Sequence, residues 1–488
     1  MVMNQGLSNR AVSGVAWVAV QKYSTMLIQF VSGIILARLL TPYDYGCIGM
    51  LAIFMSLSEA FIDGGFGSAL IQKKNPTQED YSTIFWWNLF MAIILYSTLF
   101  ICAPSIAEFY NNPVLSRVLR TQGIVLFILA FNIVQQNQLR KRLDFKVLSM
   151  VSVITSVISL IVTVFLAYKG FGVWALVVQN LLFSLIPALI FWFYVKWRPM
   201  IVFSSKSFHE LFKFGLYMFL THVINRLGQH IQGLLIGKLY NPSTLGYYSK
   251  ANSTESLAST SISQVMTQVT YPLYAEIQDD RIKLIGIIKK LTSLIAFVSF
   301  PLLFILFLIA KPLFVLLYSD VWLDSVPYFQ VLCFAGLAVC LQSVNLQAIS
   351  AIGKSNITFI WTLIKHTIGI SIIICGIVFW GMKGLLIGVV ISAWISYIIN
   401  ILLVSKYLGY KWTEQLLDIL PIILVSTVAT GVSLIVSDFF DSGMYVNGAI
   451  RLSVFVIIFL GWSIVAKPRP FLSLKEIINT YLVKHGSR

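Results

Sequence analysis

Charged and hydrogen-bonding side chains stand inside stretches that are otherwise apolar, and their spacing limits the chemistry the chain could perform. Glu59 and Asp63 are one helical turn apart, on a stripe with Ser56 and Gly67, and His222, Arg226, Gln229 and Gly233 fall on another. Lys22 stands alone in its stretch, and Lys365 adjoins His366. The segment SKANSTESLASTSISQVMTQVT carries Lys250 and Glu255 among many Ser, Thr, Asn and Gln residues. Lysine and arginine hold phosphate through charge-assisted hydrogen bonds. Lys22, Arg226 and Lys250, with His222, Gln229 and Lys365, are therefore the candidates for binding an anionic substrate. Glu59, Asp63 and Glu255 are suited to serve as counter-ions or as sites for a coupling proton or sodium ion. The sequence holds no Walker A loop, zinc-ligand cluster or nucleophile elbow, so no catalytic residue, metal or cofactor is predicted.

Each assignment has a plainer alternative. For Lys22 and Arg226 it is snorkelling or internal ion pairing, and for Glu59 and Asp63 it is structural pairing with a cationic neighbour. Lys365 has the alternative of reaching an interface. Arg451 reads as a snorkelling residue, and the run RKRLDFK as a topology anchor that also suits anionic lipid head groups.

Such residues need elements that hold them at depth. The chain is 58% hydrophobic and 11% charged, against roughly 25% charged in a soluble domain. Apolar runs of about 20 residues, enough to cross the hydrocarbon core, recur along it with short polar breaks. This predicts an all-α polytopic membrane protein with about fourteen transmembrane helices. They are placed near 11–37, 43–68, 80–103, 114–137, 146–168, 172–195, 208–237, 243–273, 285–309, 325–351, 356–379, 384–405, 416–437 and 447–466. The eighth is too polar for a hydropathy plot to accept. If it spans, it must line a solvated space.

The net charge of +16 follows topology, with no basic patch interleaved with aromatics, so no nucleic acid is predicted as a partner. Arg10, Lys73, Lys74, the basic run from Arg140, Lys289, Lys290, Lys354, Lys411, Lys467, Arg469, Lys484 and Arg488 fall on one side. The other side receives only a few, such as Arg38, Lys169, Lys238 and Lys383. That asymmetry places both termini in the cytoplasm and requires an even helix count. The 5 cysteines lie in or beside apolar segments without a CxxC pair and read as packing residues. The polar opening MVMNQGLSNR and the long span behind it predict no signal cleavage.

The chain also repeats itself. IILARLLTPYDYG returns as LLIGKLYNPSTLG, aligning Arg38 with Lys238, Pro42 with Pro242 and Gly46 with Gly246, and the match extends backwards to Gly33 with Gly233 and Gln29 with Gln229. GVWALVV and GLLIGVV form a later pair. Shared Pro and Gly at fixed spacing mark a true repeat. Two parallel-repeat six-helix bundles follow, an N-terminal lobe at 1–206 and a C-terminal lobe at 207–412. Two additional transmembrane helices occupy 413–470, and 471–488 is a cytoplasmic tail. Such a repeat is a transporter arrangement with the substrate site between the bundles. Arg38 and Lys238 then stand near the periplasmic mouth, with Asp44 as a gate partner.

LARLLTPYDYGCIGM, DGGFGSALIQKK, YYSKAN, YPLYAEIQDDRIKL and FVLLYSDVWLDSVPYFQVLCFAGL resemble the Wzx-type polysaccharide repeat-unit flippases, the colanic-acid-exporter-like lipopolysaccharide biosynthesis proteins. These belong to the multidrug/oligosaccharidyl-lipid/polysaccharide exporter superfamily. The resemblance runs from about residue 8 to residue 410. It implies flipping of an undecaprenyl-diphosphate-linked oligosaccharide across a bacterial inner membrane by alternating access, for O-antigen, capsule or exopolysaccharide synthesis. The implied partners are the lipid-linked oligosaccharide, membrane lipids, and a polysaccharide polymerase with its chain-length machinery. Related flippases build a cationic cavity on their first, second, seventh and eighth helices, where Lys22, Arg226 and Lys250 stand here. A drug or cation antiporter of the same superfamily is the alternative, but it would favour an acidic, aromatic cavity. A polymerase would need a large outer loop or a His-based site, and a scaffold would not need so polar an eighth helix.

Overall fold

The computed structural model describes residues 2–352, 355–440 and 442–476, and all regular structure among them is helical. Lys354, Lys484, Arg488 and the tail beyond 476 lie outside the described residues. The chain divides into two compact units, residues 1–246 and 247–488.

The first unit contains α1 (Val2–Leu39), α2 (Pro42–Asp63), α3 (Phe66–Gln72), α4 (Gln78–Phe109), α5 (Val114–Gln122) and α6 (Ile124–Lys141). It continues with α7 (Phe145–Tyr168), α8 (Val173–Tyr194), α9 (Ser205–Leu239) and the first residues of α10 (Pro242–Glu276). The predicted helix at 43–68 is broken. Gly64 and Gly65 take φ of 55° and 75°, a left-handed conformation that ends α2 cheaply only because both are glycine. Gly67 therefore belongs to α3 and not to the stripe of Ser56, Glu59 and Asp63. The predicted helix at 114–137 is likewise two, α5 and α6, meeting at Gly123.

Local sequence explains the helix starts. Thr41 caps α2, Pro42 occupies its first turn, and Asp44 reaches back, its Oδ2 accepting from Thr41 N at 2.9 Å and Thr41 Oγ1 at 2.7 Å. Thr77 and Asp80 form the same capping box at α4. The repeated turns touch each other. A Cβ on Gly46 would collide with the Pro242 carbonyl, and one on Gly246 with the Pro42 carbonyl. The glycines that mark the repeat let the starts of α2 and α10 cross backbone against backbone.

The second unit holds the rest of α10, then α11 (Arg281–Leu308), α12 (Ala310–Tyr318), a 3-10 turn (Asp320–Ser325), α13 (Val326–Ala351), α14 (Ser355–Leu408), α15 (Trp412–Asp438) and α16 (Met444–Ala466). α14 joins the two predicted helices at 356–379 and 384–405 through Gly381, whose φ of 58° interrupts the helix. α12 and the 3-10 turn fill a stretch that reads in the sequence as a connection. The core of this unit runs along α11, α13, α14, α15 and α16 through Ile295, Phe300, Leu341, Val344, Tyr397, Val404 and Phe455.

Among the described residues, 10 segments are long and apolar enough to cross a membrane, with Ile360–Leu408 counted as one. The other predicted spans, α1, α9 and α10, are 38, 35 and 35 residues long and are not among the ten. Their lower apolar content comes from residues such as Lys22, Arg226 and the Ser/Thr-rich run of α10.

Candidate functional site

In the first unit α2 and α9 pack along each other with their polar stripes facing. Arg226 lies within electrostatic reach of Glu59, and His222 within reach of Asp63. The order is antiparallel, so two residues a turn apart on one helix meet two a turn apart on the other. Neither pair closes into a direct ion pair; among the described residues the ion pairs lie elsewhere. Glu59, Asp63 and Arg226 are half-buried and His222 is exposed.

Asp63 is the last residue of α2, and its carboxylate also receives the amides of Gly65 and Gly67 at the start of α3. A Cβ on Gly67 would stand 2.8 Å from Asp63 Oδ1 and 3.0 Å from Asn137 Nδ2. The missing side chain leaves room between the carboxylate and the α6 amide, whose Nδ2 has no hydrogen-bond partner among the described residues. Asn137 is buried, as are Gln135 on the same helix and Asn88 on α4. A reading of the sequence for charge misses these amides, although the run NIVQQNQL in an apolar span is a visible signal.

The remaining candidates in this unit have separate places. Gln21 accepts from Ser149 and donates to Ser152 of α7, at 3.2 and 2.9 Å. Its neighbour Lys22 is turned about 100° away around α1, half-buried and without an ion pair among the described residues. Gln229 is exposed on α9, one turn beyond Arg226. Asp44 is buried and caps α2. Arg38 is exposed near the end of α1, and Lys238 donates to the Phe109 carbonyl at 2.7 Å while lying 4.2 Å from that ring's centroid.

In the second unit Lys250 is 5% exposed. Its Nζ sits 4.0 Å from the centroid of Tyr318 and 5.6 Å from that of Trp322. Aromatic faces offset part of the cost of taking the ammonium from water. Thr254, one turn on, lies 3.1 Å from the Tyr318 hydroxyl. No local pattern pairs Lys250 with aromatics so far along the chain.

Glu255 is buried on another side of α10, near Ser259, with no hydrogen-bond partner for Oε1 among the described residues. A Cβ on Gly336 of α13 would collide with this carboxylate and lie 3.3 Å from Leu303 of α11. Lys365 stands inside the same unit, its Nζ donating to Asn400 Oδ1 at 2.9 Å across the bend of α14, beside Trp361 and Asn345.

The candidates therefore form a two-rung charged contact between α2 and α9, an aromatic-covered lysine on α10, an enclosed carboxylate on the same helix, and a lysine–asparagine bond within α14. This is binding and charge-handling chemistry set into long helices. Similar proteins share both sequence and fold. The teichuronic acid biosynthesis protein TuaB of Bacillus subtilis (strain 168) is 26% identical over 357 residues, 73% of this chain and 74% of that one. The lipopolysaccharide biosynthesis protein WzxC of Escherichia coli (strain K12) is 22% identical over 430 residues, 86% of this chain and 87% of that one. Among solved structures, the lipid II flippase MurJ in an inward closed conformation superposes with a TM-score of 0.74 at 15% identity, covering 93% of this chain and 99% of that one. The protein family described as polysaccharide biosynthesis protein matches residues 35–327, more than half of the chain, and the chain belongs to that family.

Proposed function

We propose that this protein flips a lipid-linked oligosaccharide, an undecaprenyl-diphosphate-linked repeat unit, across the bacterial inner membrane by alternating access. One observation carries the reading. A chain related to proteins of teichuronic acid and lipopolysaccharide biosynthesis has, over 93% of its length, the fold of a lipid II flippase.

The physical task is to move a charged, hydroxyl-rich head group past hydrocarbon without exposing it bare. Lys22 and Arg226 hold the diphosphate through charge-assisted hydrogen bonds. Lys250 contributes when its aromatic cover opens, and His222 and Gln229 supply further polar contacts. The polyprenyl tail stays in lipid. Glu59 and Asp63 neutralise Arg226 and His222 when substrate is absent and release them to the phosphates when it arrives. Glu255 is a coupling carboxylate. Both termini face the cytoplasm, and the chain performs transport without covalent chemistry on its substrate.

The test is complementation of a deletion strain with Lys22→Ala, Arg226→Ala and Lys250→Ala. Loss of export at normal membrane insertion supports the binding role. Full activity in all three would remove those cations from the mechanism.

A further inference from the structure

At the end of the second unit where α11 and α15 begin and α16 stops, the chain turns back on itself. Residues 469–476 are helical, with Phe471 and Leu474 packed on the core and the Phe471 ring 6.2 Å from Phe297. Between this segment and the opening turns of α11 and α15 lies a cavity of about 430 Å³, within the range of about 300–1,000 Å³ in which small-ligand pockets fall.

The lining sets Lys289, Lys290 and Arg469 against a single acid, Asp418, with Ser293 and Ser473 adding hydroxyls. Lys289 is already engaged, 3.4 Å from Asp418 and 3.7 Å from Glu414. Lys290 and Arg469 make no ion pair among the described residues. Gly286 lines the hollow, and a Cβ there would meet nothing within 4 Å, so a larger side chain at this position has room to enter it.

In the sequence these cations read as a topology signal. That signal requires charge near a membrane end but no concavity. Here the charges converge on a hollow together with hydroxyl donors, which is the chemistry of phosphate recognition. We propose that this pocket binds the phosphate group of an anionic membrane lipid, at a site contained within the second unit and separate from the residues proposed for transport. A lipid fits better than a soluble anion because the pocket lies at the ends of membrane-crossing helices. Leu472, 42% exposed, offers an apolar surface beside the cations. The basic end of a membrane protein also faces the leaflet where anionic lipid attracts lysine and arginine.

The experiment is native mass spectrometry of the full chain with phosphatidylglycerol or phosphatidylcholine, and with inorganic phosphate as competitor. Phosphatidylglycerol should be retained in preference. Lys290→Gln with Arg469→Gln should weaken it by about tenfold or more. Gly286→Phe keeps every charge but fills the hollow, and should show the same loss. Wild-type retention in both variants, or equal retention of the two lipids, overturns the proposal. Complete displacement by inorganic phosphate overturns the lipid as ligand in favour of a soluble phosphate. The charge variant lies on accessible side chains, so the test stands even if Gly286→Phe fails to fold.

Discussion

The ammonium of Lys250 sits 4.0 Å from the ring centroid of Tyr318, whose hydroxyl lies 3.1 Å from Thr254 on the same helix as the lysine. One aromatic residue thus covers the cation with its face and holds the helix with its edge. Tyr318→Phe keeps the face and loses a hydrogen bond worth about 0.5–1.5 kcal/mol. Tyr318→Leu also loses a cation–π contact worth about 0.5–2 kcal/mol. Thermal melting of the purified protein should rank wild type above Tyr318→Phe and that above Tyr318→Leu. Identical melting of the two variants would show that the ring does not hold Lys250.

Gly336 makes room for the Glu255 carboxylate, so a methyl there acts as a wedge. Gly336→Ala should destabilise by about 1–3 kcal/mol, the usual range for overpacking. Adding Glu255→Ala removes the atom in the way, and the double variant should recover much of the loss. Strict additivity in the melting temperatures would deny the contact.

At the repeated turns the two glycines face each other's proline carbonyls. Gly46→Ala and Gly246→Ala should each cost about 1–3 kcal/mol, because backbone must give way. Separating the turns once relieves both clashes. The double variant should therefore cost less than the two single costs together, as read by melting temperature.

Lys73 ties the connection after α3 to α9, with Nζ 3.0 Å from Asp80 and 3.0 Å from Glu210. Asp80 is 1% exposed and Glu210 58% exposed. Lys73→Ala should cost about 1–3 kcal/mol, since it strips a partner from a buried carboxylate. Glu210→Ala should cost under about 1 kcal/mol. Burial opposes the Lys73 charge, but hydrogen bonds to Glu210 and Asp80 outweigh it and raise the pKa above 10.5. The stabilisation is fully present below that value and is lost as pH rises through the higher folded one. The gap in melting temperature between wild type and Lys73→Ala should therefore be constant between about pH 6 and 8. A gap that shrinks across that window contradicts the ion-pair account.

Much of this fold is legible in the sequence because membrane helices announce themselves by length and composition. Pro42, Pro242, Gly46 and Gly246 mark the paired turns through their identical spacing alone. The break at Gly64 and Gly65 is not legible, because two glycines inside an apolar run also suit close helix packing. At the site, one-turn spacing brings out Glu59 with Asp63 and His222 with Arg226. The cover over Lys250 and the pocket around Gly286 depend on contacts between residues far apart in the chain, which periodicity does not encode.

The central claim is outward movement of a lipid-linked oligosaccharide, and the direct measurement is its distribution between leaflets in a strain lacking this protein. Repeat units should accumulate on the cytoplasmic side and move outward again when the wild-type chain is restored. Normal translocation in the deletion strain would contradict the account.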